Sequence, residues 1–161
     1  MALNAYLRIE GQKSGEIIGS AVRTGRIGSI AVIACDHQVV SPRDPQSGLP
    51  TGQRMHHPLL ITKEVDASSP LLWNMLCTNE NIKEWELRFW QSAGREGESQ
   101  YFTITLTNAN IASIRMTMPD NTNKDNARLR EREEIAFTYQ KIEWRYENGG
   151  ITAMDDWEAR A

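Results

Sequence analysis

Short runs in which apolar and polar residues alternate recur along almost the whole chain, and they leave room for only one helix. Successive side chains of a strand point to opposite faces, so a period of two marks a strand with one covered and one open face. Near the N-terminus Ala5, Leu7 and Ile9 alternate with Tyr6 and Arg8. Between residues 81 and 91, Trp85, Leu87 and Phe89 alternate with Glu84, Glu86 and Arg88; between 99 and 109, Phe102, Ile104 and Leu106 alternate with Thr103, Thr105 and Thr107. Gly94 and Gly97 lie between these two runs, which predicts a hairpin.

Further strands are expected over 16–21, 58–66 and 109–119. The run 27–40 is apolar on both parities, which predicts a strand covered on both faces. In 133–147 the apolar parity changes from Ile135, Phe137 and Tyr139 to Ile142, Trp144 and Tyr146, so a bulge or bend is expected near Gln140–Lys141. One helix is expected, with Ser69 as its N-cap and Pro70 in the first helical position. Leu71, Leu72, Met75 and Leu76 then fall on one face. Seven or eight strands and one short helix call for a sandwich or a closed barrel.

A length of 161 residues fits one domain, 1–161. A domain of that size buries roughly 70% of its unfolded surface, so it needs neither disulfide nor metal to hold a core. With 18 Lys and Arg against 21 Asp and Glu, the chain lacks the basic excess of a nucleic-acid binder. The two cysteines, Cys35 and Cys77, are expected to be free, buried and structural. No stretch reaches the roughly 18 apolar residues of a membrane helix, and the first residues have neither a basic nor a long apolar signal region. The chain is therefore expected in the cytoplasm, leaving the cell, if it does, without a cleaved signal peptide.

Two loops stand out. Residues 41–56 hold three of the six prolines and two glycines, and 119–132 are polar and charged. Loops of this length in a compact domain are usually functional or disordered.

The chemical readings fail one after another. His56 and His57 are adjacent, so on a strand they point apart and cannot share an ion. Cys35 and His37 share a face, but two ligands do not make a metal site. There is no nucleophile elbow and no phosphate-binding glycine spacing. The acids of 131–134 read as a solvated charge run, and Asp155 and Asp156 as part of a tail packed by Trp157. No catalytic constellation, metal or cofactor is expected, and the chain is not expected to be an enzyme.

The stretch 41–76, "SPRDPQSGLPTGQRMHHPLLITKEVDASSPLLWNML", resembles the loop–strand–helix signature of the haemolysin-coregulated protein family, Hcp. "ENIKEWELRFW", "YFTITLTNANIASIRMTMP" and "EEIAFTYQKIEWRYENGGITAMDDW" follow in the order that family has them, so the likeness runs from about residue 3 to 158. The resemblance implies a mainly β fold: a closed or nearly closed antiparallel β-barrel with one short α-helix at its side, like phage tail-tube proteins. It implies the inner tube of the type VI secretion system, built of hexameric rings with a wide lumen. The inner wall is then a sheet continuous across subunits. Expected partners are further copies of the chain, a contractile sheath, a spike, and small effector proteins carried in the lumen. The tube is assembled in the cytoplasm and secreted to the extracellular space or a target cell. No catalytic residues carry over, and the end at Ala161 is read as leaving no room for a toxin domain. The alternative is an effector-binding carrier or chaperone paralogue that does not build the main tube.

On this reading Ala34, Asp36 and Gln38 share a strand face that becomes polar, and Asp36 and Gln38 are expected to face lumen and cargo. Ile33, Cys35, His37 and Val39 are expected to face the barrel core or its rim. Pro42, Arg43, Asp44 and Arg54 in the loop 41–56 are expected to meet a neighbouring subunit or the next ring.

Overall fold

The computed structural model describes residues 4–23 and 25–157. Among these residues thirteen strands and one α-helix follow in order: β1 (Asn4–Gly11), β2 (Gly15–Ile17), β3 (Ile30–Val32), β4 (Ala34–Asp36), β5 (Val39–Val40), β6 (Met55–His56), β7 (Leu59–Glu64), α1 (Ser69–Cys77), β8 (Ile82–Ser92), β9 (Glu98–Thr107), β10 (Asn110–Thr117), β11 (Arg132–Thr138), β12 (Lys141–Tyr146) and β13 (Ile151–Asp156). The larger sheet runs β13-β12-β9-β8-β1-β2, with β3 also paired to β1. A second sheet runs β10-β11-β7-β4, and β5 pairs with β6. Every one of these pairings is antiparallel.

The core fills the space between the two main sheets. Leu7 and Ile9, Trp85 and Leu87, Ile104 and Leu106 come from alternate positions of β1, β8 and β9. They meet Leu59 and Ile61 of β7 and Ile135 and Phe137 of β11. The Trp85 and Phe137 rings meet edge-on with centroids 5.3 Å apart. Each such side chain contributes about 1.5–3 kcal/mol on full burial, which is what selects the strand registers. The helix adds Leu72 and Met75 to the core, while Leu71 stays exposed.

The mainly β fold with one short helix is present, but the expected closed barrel is not: the sheets are open. They meet where β3 runs into β4, with the Ile33 amide bonded to the Thr62 carbonyl at 2.7 Å. Elsewhere β10 and β13 end their sheets as edges unpaired among the described residues. Closure requires every strand to have two neighbours, which these edges lack among the described residues.

Three local expectations also change. The run 27–40 is three short strands, because the chain leaves one sheet at Ile33 and enters the other; all of β4 is exposed, so it is not covered on both faces. Gln140–Lys141 is no bulge within a strand: β11 belongs to the smaller sheet and β12 to the larger one. The helix takes Ser68 as its N-cap, with Pro70 in the first turn. Both cysteines are free as expected, yet both are exposed rather than buried.

Candidate assembly surface

The outer face of the four-stranded sheet bears Asp36, with Gln38 at its border. Cross-strand register places Ala34, Thr62, Glu134 and Arg115 in one row, and Asp36, Leu60, Ala136 and Ser113 in the next. Asp36, Glu134 and Arg115 are exposed, and Leu60 is 42% exposed. Gln38, just beyond β4, is also exposed and lines a shallow hollow with Asp36, His57, Pro58, Leu60 and Ala136. This face mixes charges of both signs with small and apolar residues. It presents a wall that water wets, with no arranged acid–base pair.

The opposite parity does not enter the core. Ile33, Cys35 and Val39 are exposed at the rim. His37 turns inward, where its Nε2 accepts a hydrogen bond from Trp144 Nε1 at 3.1 Å. That bond requires an unprotonated Nε2, so the ring is held neutral. Burial and the nearby His56 accordingly lower its pKa below the ordinary histidine value, against a smaller opposing effect of Asp36.

The loop 41–56 is an ordered hairpin. It extends β5 and β6 through a bridge between Arg43 and Pro50 and a bond from the Thr51 amide to the Pro42 carbonyl at 3.0 Å. Asp44 closes its tip by accepting from the Gln46 amide at 2.9 Å and the Ser47 hydroxyl at 3.0 Å, which lowers its pKa. Gly48 takes φ +72° in this turn, a conformation that favours glycine. Arg43 is exposed and Pro42 half-buried.

Arg54 is directed back into its own chain. Its Nε donates to Asp155 at 2.5 Å and its terminal nitrogen to the Asp156 carbonyl at 3.1 Å. His56 joins the same clamp: Nε2 lies 2.7 Å from Asp155, Nδ1 lies 2.8 Å from the Tyr139 hydroxyl, and its ring stacks on Trp157. Hydrogen bonds from Arg54 and His56 hold the Asp155 carboxyl below its usual range despite partial burial. Burial and the Asp155 charge push the Tyr139 phenol up to about 12. The hairpin base is thereby locked to the end of β13. His57, its neighbour, is exposed, as adjacent strand positions require.

A second buried cluster fixes the wall to the helix. Lys63, fully buried, donates to Glu133 at 2.8 Å and to the Ser69 hydroxyl at 3.0 Å, and lies 3.1 Å from Asp66. Ser69 and Trp73 also donate to Glu133, at 2.6 and 2.7 Å. Burial alone would raise the Glu133 pKa, but these hydrogen bonds hold it below the ordinary value. Sequence reasoning missed this cluster, although a signal was there: Lys63 follows Leu59 and Ile61 on the inward parity, and Glu133 precedes Ile135 and Phe137 in the same way.

The chain matches the family described as type VI secretion system effector, Hcp, over residues 6–146. The chain belongs to the Hcp family. A curated relative, the "Major exported protein" of Pseudomonas aeruginosa, is 36% identical over 168 residues, covering 99% of this chain and 98% of the relative. Among solved structures, a crystal structure of an Hcp protein is 30% identical with a TM-score of 0.90, covering 99% of this chain and 100% of the other. The Hcp1 protein of the E. coli EAEC 042 pathovar is 32% identical with a TM-score of 0.85, covering 97% and 99%. The Hcp fold is thus shared across essentially the full chain.

Proposed function

We propose that this Hcp chain is a structural subunit of the type VI secretion inner tube. Six copies close into a ring, rings stack, and sheath contraction expels the tube, so the chain is exported as part of it. The observation that carries this reading is the four-stranded sheet with a wetted outer face and an eight-residue edge strand, β10, unpaired among the described residues. An open edge of that length is a template for another chain, and a head-to-tail contact that closes makes a ring. The wetted face, with Asp36 and Gln38, then lines the lumen, where small effector proteins meet it. The hairpin bearing Pro42, Arg43 and Asp44 reaches the neighbouring subunit or ring, with Arg54 holding its base. Sheath and spike proteins are the remaining partners.

Light scattering on a size-exclusion column over a range of concentrations, with negative-stain images of the peak, tests the reading. The expected species has about six times the monomer mass, roughly 110 kDa from 18.3 kDa per chain, and images as open-centred rings. A monomer at every concentration would overturn it.

A further inference from the structure

A ring built head-to-tail needs two different surfaces on each copy, and among the described residues two apolar patches stand exposed at opposite edges of the larger sheet. The first follows β2. Val22 is 85% exposed, Ile27 72% and Ile18 57%. They stand on a rigid base. The Gly19 amide bonds to the Gly28 carbonyl at 2.9 Å, and the Ala21 amide to the Ser29 carbonyl at 3.0 Å. A Cβ on Gly19 would lie 2.7 Å from the Ile30 Cα, so this turn is pressed against β3. The Arg26 guanidinium stacks 4.2 Å from the Trp90 ring and pairs with Glu98, which also takes a bond from Arg23 at 2.6 Å. These bonds tie the segment to β3 and β9 while its apolar side chains stay exposed.

The second patch is β13, at the other end of the strand order. Residues 151–154 are exposed on both faces of the strand, with Ile151 at 68% and Met154 at 56%. Among the described residues only β12 pairs with it, so one row of its backbone groups has no strand neighbour.

Two features make a second copy the fitting occupant. Because β2 and β13 are opposite edges of one sheet, placing copies side by side brings the first patch of one against the second patch of the next. Counted with their ion-pair partners, the charges still differ in sign: beside the first patch Arg23 and Arg26 stand against Glu98, whereas at the second Glu147, Asp155 and Asp156 stand against Arg145 and Arg54. Complementary charge sets the orientation of such a contact, while the apolar centre supplies its affinity.

We propose that Ile18, Val22 and Ile27 of one copy pack on the β13 edge of its neighbour, around Ile151 and Met154, as a second lateral contact of the ring beside the one at β10. This rests on the tube reading above and assigns its surfaces. Val22→Glu, Ile27→Glu and Ile151→Lys each place a charge in that contact, and circular dichroism should show all three folded, since the positions are exposed. Light scattering at a concentration where the unaltered chain forms rings should give each single variant near monomer mass. The pair Val22→Glu with Ile151→Lys should recover the ring mass, because the two charges then face each other across the contact.

Full rings from the single variants, even with loss of sheath binding, would overturn the inference and leave the tube reading standing. Rings lost in the single variants and not regained in the pair would overturn the match between these patches. An unaltered chain that never forms rings would overturn both.

Discussion

Lys63 stands where the alternation of β7 calls for an aliphatic side chain, and its charge is tolerated because three elements converge on it. Removing one partner of a buried ion pair leaves the other desolvated and uncompensated, which costs about 3–5 kcal/mol. Lys63→Met should therefore lower the unfolding free energy by about that amount, read by urea denaturation at neutral pH; a loss within about 1 kcal/mol, small against that range, would show that the pair is not needed. Glu133 and Asp66 both have carboxyls held below their ordinary values of 4.5 and 3.8. Stability from such groups is complete above those values and is lost as pH falls through the lower folded ones. Acid unfolding below pH 4.5 should thus be shallower in Glu133→Gln than in the unaltered chain, and equal slopes would sink the assignment. Asp36 is a contrasting residue: exposed and uninvolved in packing, it should accept Asp36→Trp without loss of ring mass. Six added indoles in a lumen would change cargo retention; unchanged retention, measured by co-purification of an effector, would remove the case for a lumen position.

At the scale of elements, the hairpin is held from its base, so its tip should be removable. Deleting residues 43–52 keeps Arg54, His56 and their bonds to Asp155 and Tyr139. The expected product is a folded subunit with an unchanged melting transition that no longer stacks into tubes; normal tubes in the images would count against the hairpin contact. The elements also show what a sequence of this kind discloses. Trp85, Leu87 and Phe89, like Ile104 and Leu106, announce β8 and β9 because those strands have one covered and one open face. Strand β13 carries no such signal for the opposite reason: with residues 151–154 exposed on both faces, no burial imposes a pattern on them. The parity switch at Gln140 was visible but ambiguous, since a bulge and a change of sheet shift the inward face in the same way. At Cys35 the apolar neighbours suggest burial, but β4 is an edge strand where the chain passes between the sheets, so the side chain is exposed. Exposure was legible where polarity alone decides it, at Asp36 and Gln38. It was not legible where partners some 100 residues apart decide, as for Arg54 with Asp155.

For the whole molecule, the open architecture has a thermodynamic consequence. Core strands such as β8 and β9 are paired on both sides and filled between by Trp85, Leu87 and Ile104, so their amides open only with global unfolding. The edge strands β10 and β13 lack a strand neighbour on one side among the described residues, and the turns carrying Val22 and Ile27 display apolar surface that the monomer does not cover. A subunit alone should therefore exchange edge amides quickly, whereas assembly should slow them by the free energy that the interface between copies supplies. Hydrogen exchange of dilute, dissociated chain and of rings should differ at 110–117, 151–154 and around Val22 and Ile27, by tenfold or more for each ~1.4 kcal/mol that assembly adds locally. Amides of β8 and β9 should change little at short times in either state. Protection that rises evenly over the whole chain would mean that the subunit folds only on assembly. Protection at β10 without any at β13 would leave the smaller sheet as the sole lateral contact.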